Sequence, residues 1–311
     1  MGRTIYLTTA NDTFRQSAVT NNVALTVVSG AGNDTIILDR DDDLGGSNVV
    51  RTGVGNDAVV NFKEFGNLIS LGEGADTYVG RGFGSFSSEP GDEVYGLAGN
   101  DTFAVETFKS EYYGGLDNDV FHSVGWQNHF SGGSGIDTIS YLPRDDNRTI
   151  GSTGVGIDLS QGFTQTGAFR RETFSSIENA IGSNNDDTII GNGGANRLTG
   201  AQGFDDLVGG AGADVFAFRS VSHALVNATH ADIIEDFQRA QGDKIDLRLM
   251  DADTRTLGNQ AFHMVTNFTR HAAELRFDGQ FATGDVNGDG VADFRVLMVG
   301  VTSMVSTDFL L

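Results

Sequence analysis

The chain has no cysteine, two prolines and one tryptophan in 311 residues, and only 20 basic residues against 42 acidic ones. Without cysteine there is no disulfide staple and no thiolate ligand or nucleophile. The formal charge of −22 disfavours nucleic acid and anionic membrane as partners and favours divalent cations. No run of about 18 apolar residues exists to span a bilayer. Met1 to Arg15 lacks the basic and apolar blocks of a secretory signal, so the chain is expected either to remain in the cytosol or to leave by a route that reads no N-terminal signal. No His-Glu-x-x-His, Gly-x-Ser-x-Gly, phosphate loop or dinucleotide fingerprint occurs. The histidines at 122, 129, 223, 230, 263 and 271 never pair at i, i+4, which argues against zinc. These absences predict no catalytic constellation in this chain.

What the chain has in excess is glycine, 43 residues of it, arranged on a nine-residue beat. The beat runs without a gap from 96 to 140 and again from 182 to 217. Gly209-Gly210-Ala211-Gly212-Ala213-Asp214-Val215-Phe216-Ala217 shows the unit: a glycine turn, an aspartate sixth, and an apolar residue eighth. One unit cannot bury its own apolar side chain and must stack on copies of itself, so the period predicts an all-β parallel solenoid. Stacked turns pile carboxylate on carboxylate, and a bound cation makes that tolerable.

With short insertions the beat extends back to residue 7. Its eighth positions are all apolar: Phe14, Val27, Ile36, Val50, Val59, Ile69, Tyr78, Val94, Phe103, Tyr112, Phe121, Phe130 and Ile139. Alternate units place aspartate sixth, at Asp12, Asp34, Asp57, Asp76, Asp101, Asp119 and Asp137. Between them stand Leu25, Asn48, Asn67, Asp92, Ser110 and Asn128. If two units make one coil, each coil has one acidic and one mostly neutral edge, the asparagines of the neutral edge serving tight turns. Insertions at 16–19, 38–42, 61 and 80–86 follow the acidic-edge strands and mark one rim for specific binding. Residues 141–181 interrupt the beat with two strands around a polar loop. The second run has Asp187, Asn196, Asp205 and Asp214 sixth, so both of its edges are candidates. The predicted blocks are 1–140, 141–181, 182–217 and a C-terminal cap, 218–311.

These units, most fully 132–140 and 209–217, resemble the RTX nonapeptide, the hemolysin-type calcium-binding repeat. The resemblance implies a parallel β-roll in which calcium lies between neighbouring turns on one edge, held by aspartates and turn carbonyls. The implied ligands are Asp34, Asp57, Asp76, Asp101, Asp119 and Asp137 with turn residues Gly99, Gly115, Gly133 and Gly135. In the second run they are Asp187, Asn196, Asp205 and Asp214 with Gly203, Gly210 and Gly212. Ions are expected between the turns of Asp101 and Asp119, Asp119 and Asp137, Asp187 and Asp205, and Asn196 and Asp214. Asp117 and Asn185 replace the fourth-position glycine, and the units at 29, 52 and 71 lack the first one.

Asp232-Ile233-Ile234-Glu235-Asp236-Phe237 followed by Gly242-Asp243-Lys244-Ile245-Asp246-Leu247 resembles the C-terminal domain of serralysin-type secreted proteases, without the protease. On spacing, oxygens of Asp285, Asn287, Asp289 and Asp293 can wrap one further calcium, the alternative being a polar hairpin whose aspartates satisfy backbone amides. The terminal Asp308-Phe309-Leu310-Leu311 is similar to the signal read by type I ABC exporters, which implies secretion. Taken together, the resemblance implies a secreted, extracellular calcium-binding protein of structural or adhesive role, with a cell-surface glycan or protein as partner. Two alternatives stand beside it. One is a secretion and folding module of a larger protease or polysaccharide-modifying enzyme. The other is a polysaccharide enzyme using Arg40 and Arg81 on the rim.

Overall fold

A computed structural model of the chain describes residues 3–19, 24–39, 46–62, 65–81, 90–143, 153–167, 170–224 and 231–311. Arg40 and parts of the insertions at 38–42 and 80–86 lie outside the described residues. Among those described there is no α-helix, and short strands alternate with turns. Two compact units result, Met1–Asn147 with Ala168–Ile177, and Arg148–Gly167 with Glu178–Leu311.

In the first unit, two parallel sheets face each other. One carries Arg3–Tyr6, Leu25–Ala31, Val49–Val54, Leu68–Glu73, Glu93–Ala98, Glu111–Leu116, His129–Ser134 and Arg171–Ser175. The other carries Thr13–Arg15, Thr35–Leu38, Ala58–Phe62, Thr77–Arg81, Thr102–Glu106, Val120–Ser123 and Thr138–Ser140. Each nonapeptide supplies one strand and two make a coil, giving a β-solenoid. Every eighth position named above is buried. Identical registers stack like on like: Phe103 on Phe121 at 4.8 Å between ring centres, Tyr112 on Phe130 at 5.4 Å. Offset stacking of this kind adds about 0.5–1.5 kcal/mol per pair to the burial itself.

The second unit repeats the construction. Gly156–Asp158, Thr188–Ile190, Asp206–Val208, Asp232–Ile234 and Phe294–Met298 pair in parallel. Opposite them run Asn179–Ile181, Arg197–Thr199, Val215–Ala217, Lys244–Asp246 and Phe309–Leu310. The roll register therefore continues past residue 217, into the segment read from sequence as a cap. The cap's own contribution is an antiparallel sheet of Glu274–Phe277, Phe281–Asp285 and Phe294–Met298. The interruption holds the first expected strand as Gly156–Asp158, with a hairpin partner at Phe163–Gln165 antiparallel to it, while the second, expected over 174–181, is divided into Arg171–Ser175 and Asn179–Ile181.

Candidate metal centre

The acidic edge is a ladder. Each sixth-position aspartate presents Oδ1 to the backbone N–H of its counterpart one coil earlier. Asp12 N donates to Asp34, Asp34 N to Asp57, Asp57 N to Asp76, Asp76 N to Asp101, Asp101 N to Asp119 and Asp119 N to Asp137, all at 2.7–2.9 Å. In the second unit Asp187 N donates to Asp205 and Asp205 N to Asp232, while Asn196 N donates to Asp214 and Asp214 N to Asp243. The expected neighbour pairs are thus brought together. Asp232 and Asp243 join them, although spacings of 27 and 29 residues hide them from the nine-residue count. A second ladder, unforeseen from sequence, runs the opposite way along fifth positions. Asn33 N donates to Asn11 Oδ1, Asn56 N to Asn33 and Asn118 N to Asn100.

The second carboxylate oxygen separates two kinds of turn. Oδ2 of Asp34, Asp57, Asp76, Asp101, Asp119, Asp205 and Asp214 is buried and accepts no hydrogen bond. In all of these turns the second residue is left-handed: Gly30, Gly53, Gly72, Leu97, Gly115, Ala201 and Gly210, with φ between 82° and 120°. A left-handed residue there turns its N–H away from the carboxylate. The other kind lacks that conformation. From the second position Thr8 N donates to Asp12 Oδ2 at 2.7 Å, Ser183 N to Asp187 Oδ2 at 2.5 Å and Asn192 N to Asn196 Oδ1 at 2.8 Å, while in the Asp243 turn the first-position Gln238 N donates to Oδ2 at 2.7 Å. None of these four donors has a positive φ. The first kind is open and the second closed on itself.

In open and closed turns alike, the first-position glycine stands close against the side-chain oxygen of the sixth residue. A methyl group added to Gly96 would overlap Asp101 Oδ2 and the Gly114 carbonyl, and one on Gly114 would overlap Asp119 Oδ2 and approach the Gly132 carbonyl. Gly200 and Gly209 stand against Asp205 Oδ2 and Asp214 Oδ2 alone, while in the closed turns Gly182 and Gly191 meet both the side-chain oxygen and the Gly200 or Gly209 carbonyl. The first-position glycine is thus the wall of a cradle lined by a carboxylate oxygen of one coil and a carbonyl of the next. A buried carboxylate oxygen without a donor, beside stacked carbonyls, is a donor set for a hard cation, which takes six to eight oxygens. Among the described residues no three carboxylate or histidine side chains converge, so carbonyls must supply most of the shell. Where the first glycine is missing, other atoms fill the cradle. Ser29 Oγ donates to the Thr52 carbonyl at 2.8 Å, Thr52 Oγ1 donates to the Leu71 carbonyl, and Leu71 is itself buried.

Burial raises the carboxyls of Asp101 and Asp119 to about 7 and of Asp205 to about 9, neighbouring aspartates adding to the rise. On the neutral edge burial raises Asp92 as well, to about 6, but hydrogen bonds from Asn67, Tyr78 and Asn61 oppose the rise. Asn48 N and Nδ2 donate to Asn67 Oδ1, and Asn67 N and Nδ2 donate to Asp92 Oδ1. Asp92 Oδ2 takes Asn61 Nδ2 at 2.8 Å and Tyr78 Oη at 2.9 Å, so every oxygen is used internally.

Elsewhere the predicted positions divide. Asp117 does adopt the left-handed backbone of the glycine it replaces, φ 74°, whereas Asn185 does not. Asp285 accepts from Gly288 N and Gly290 N, Asn287 from Asp289 N, and Asp293 from Val286 N, Asn287 N and Asn287 Nδ2. That is the amide-satisfied hairpin geometry.

The family model for the peptidase M10 serralysin C-terminal region matches residues 133–311, more than half of the chain. The chain belongs to this family. The model for four copies of the RTX calcium-binding nonapeptide repeat matches residues 26–45. No curated protein matches the chain. As a serralysin C-terminal family member with RTX repeats, it is a calcium-binding β-roll of the kind found in type I secreted proteins.

Proposed function

We propose that this is a secreted structural or adhesive protein whose roll folds when it meets extracellular calcium. The observation that carries the reading is the row of buried, donorless Oδ2 atoms in left-handed turns. Without a cation these carboxylates are desolvated and repel one another, while the glycine turns lose much backbone entropy on ordering. Calcium removes the repulsion, and its binding free energy becomes folding free energy. For sites of about 0.1 mM affinity in about 2 mM calcium, each ion contributes about 1.8 kcal/mol. A handful of sites then matches the stability of an ordinary domain, about 5–15 kcal/mol. Ions belong at the turns of Asp101 and Asp119, where cradle and orphan coincide, and at those of Asp205 and Asp214, where the orphaned oxygen faces a first-position glycine. They belong less at Asp34, Asp57 and Asp76, whose cradles are filled. The loop at Asp285–Asp293 is held by its own amides.

The terminal Asp308-Phe309-Leu310-Leu311 serves as the exporter signal, and only before folding. In the folded chain Asp308 is buried and gripped by Arg239 Nε and Nη2 at 2.6 and 2.5 Å, and Phe309–Leu310 pairs with Lys244–Asp246. Low cytosolic calcium keeps the signal readable, and folding outside hides it. Excess EGTA should abolish the β-structure seen by circular dichroism. Native spectra retained in EGTA would overturn the reading. The match to a protease's C-terminal region also supports a second role, as the folding and secretion module of a larger enzyme, and a catalytic region encoded upstream in the native gene would decide for it.

A further inference from the structure

The antiparallel sheet of the second unit carries a site of different chemistry. Its register sets Arg276 opposite Thr283 and Thr283 opposite Arg295. Since side chains alternate across a sheet, the three stand side by side on one face. Leu275, Ala282, Phe294 and Val296, on the other face, are buried. Arg276, Thr283 and Arg295 floor a concavity of about 640 Å³, completed by Asp278, Gln280, Phe281, Phe268 and the Gly290–Ala292 turn.

Among the described residues, neither guanidinium is in an ion pair, although acidic residues outnumber basic ones 42 to 20. Arg295 lies over the Phe281 ring, Cζ 3.7 Å from its centre, and its buried Nε has no acceptor. Two like charges two strands apart, roughly 10 Å across one threonine, repel weakly and leave space between them for an anion. A planar fork fixed over an aromatic ring is preorganised for a carboxylate.

Asp278 narrows the choice. Its Oδ1 already accepts from Gln280 N at 3.0 Å and Phe281 N at 2.8 Å, leaving Oδ2 for a hydroxyl donor. Two guanidinia and one carboxylate leave a single positive charge, which suits a monoanion and disfavours a dianion such as phosphate. Gln280 adds hydrogen-bonding groups for hydroxyls, the Thr283 hydroxyl being turned to the Arg276 carbonyl at 3.3 Å, Phe268 and Val291 add an apolar wall, and the volume suits one or two sugar rings. We infer that this concavity binds a sugar acid, its carboxylate between Arg276 and Arg295 and its hydroxyls on Asp278 and Gln280.

The site is independent of the calcium ladder, so the two readings fail separately. The test uses the calcium-loaded full chain, with circular dichroism confirming that each variant folds. Sodium glucuronate, glucose and inorganic phosphate are compared by saturation-transfer NMR and calorimetry. Glucuronate should bind about tenfold or more tightly than either glucose or phosphate, and Arg276→Ala and Arg295→Ala should each weaken it about tenfold or more. Because Arg295 also covers Phe281, Arg276→Gln carries the test if Arg295→Ala does not fold. Absence of glucuronate binding to folded wild type overturns the inference. So does equal affinity for phosphate, or indifference to the arginine substitutions.

Discussion

Asp119 and Asp187 fill the same sixth position of the same repeat, yet their surroundings differ. Around Asp119, a left-handed Gly115 directs its amide elsewhere, and the carboxylate keeps one oxygen buried with no donor. Around Asp187, Ser183 supplies both its amide and its hydroxyl, at 2.5 and 2.9 Å. Aspartate alone therefore does not make a metal turn. The backbone sign of the second residue decides whether the carboxylate is satisfied from within or left for a cation, and glycine is common there because it adopts positive φ without strain. Closed turns fall at Asp12, Asp187, Asn196 and Asp243, and at Asp187 the coil before it still donates, Val155 N to Oδ1 at 2.6 Å.

The largest expected effect is on pH. In the metal-free roll, folded carboxyls hold protons well above the ordinary value of 3.8: Asp76 and Asp214 to about 6, Asp101 and Asp119 to about 7, Asp232 to about 8 and Asp205 to about 9, burial being the main cause. Groups raised on folding stabilise the fold fully below their unfolded value, and that contribution is lost as pH climbs through the folded ones. The calcium-free protein should therefore be more folded at pH 5 than at pH 9, while calcium affinity moves the other way. Denaturant melts in EGTA across that range check it, and a flat or reversed profile would break the distinction.

Next in size is the contrast between Asp119→Ala and Asp12→Ala in saturating calcium. The first removes a cation ligand and the acceptor of Asp101 N, and should cost about 3 kcal/mol. The second removes only internal hydrogen bonds at a ladder end, about 1 kcal/mol. Equal losses by urea denaturation would mean that open and closed turns are energetically alike. Converting one kind to the other sharpens the point: Ser183→Gly should free Asp187 Oδ2 and add one ion in native mass spectrometry, where an unchanged count contradicts the rule. Smallest is Leu97→Gly, which replaces a leucine held at φ 84° and should stabilise the folded form by about 1 kcal/mol in thermal melts.

Much of this was readable from the chain. The eighth-position residues are the core, because a period of nine with one apolar residue per strand leaves no other way to bury them. The alternation of Asp34, Asp57 and Asp76 with Asn48, Asn67 and Asp92 foretold an open edge and an amide edge. Three things were hidden. Asp232 and Asp243 continue the ladder, but longer connections break the beat. The second-position rule is a matter of φ, and Leu97 and Ala201 carry no glycine to announce it. The Arg276–Thr283–Arg295 row arises from antiparallel register, which spacing along the chain does not reveal.

The most direct test titrates calcium into the stripped chain while circular dichroism follows folding and calorimetry counts ions, for wild type beside Asp119→Asn and Asp187→Asn. A cooperative gain of β-structure, with one ion lost in Asp119→Asn and none in Asp187→Asn, is the predicted result. Folding without calcium, or the same ion count in all three proteins, would contradict it.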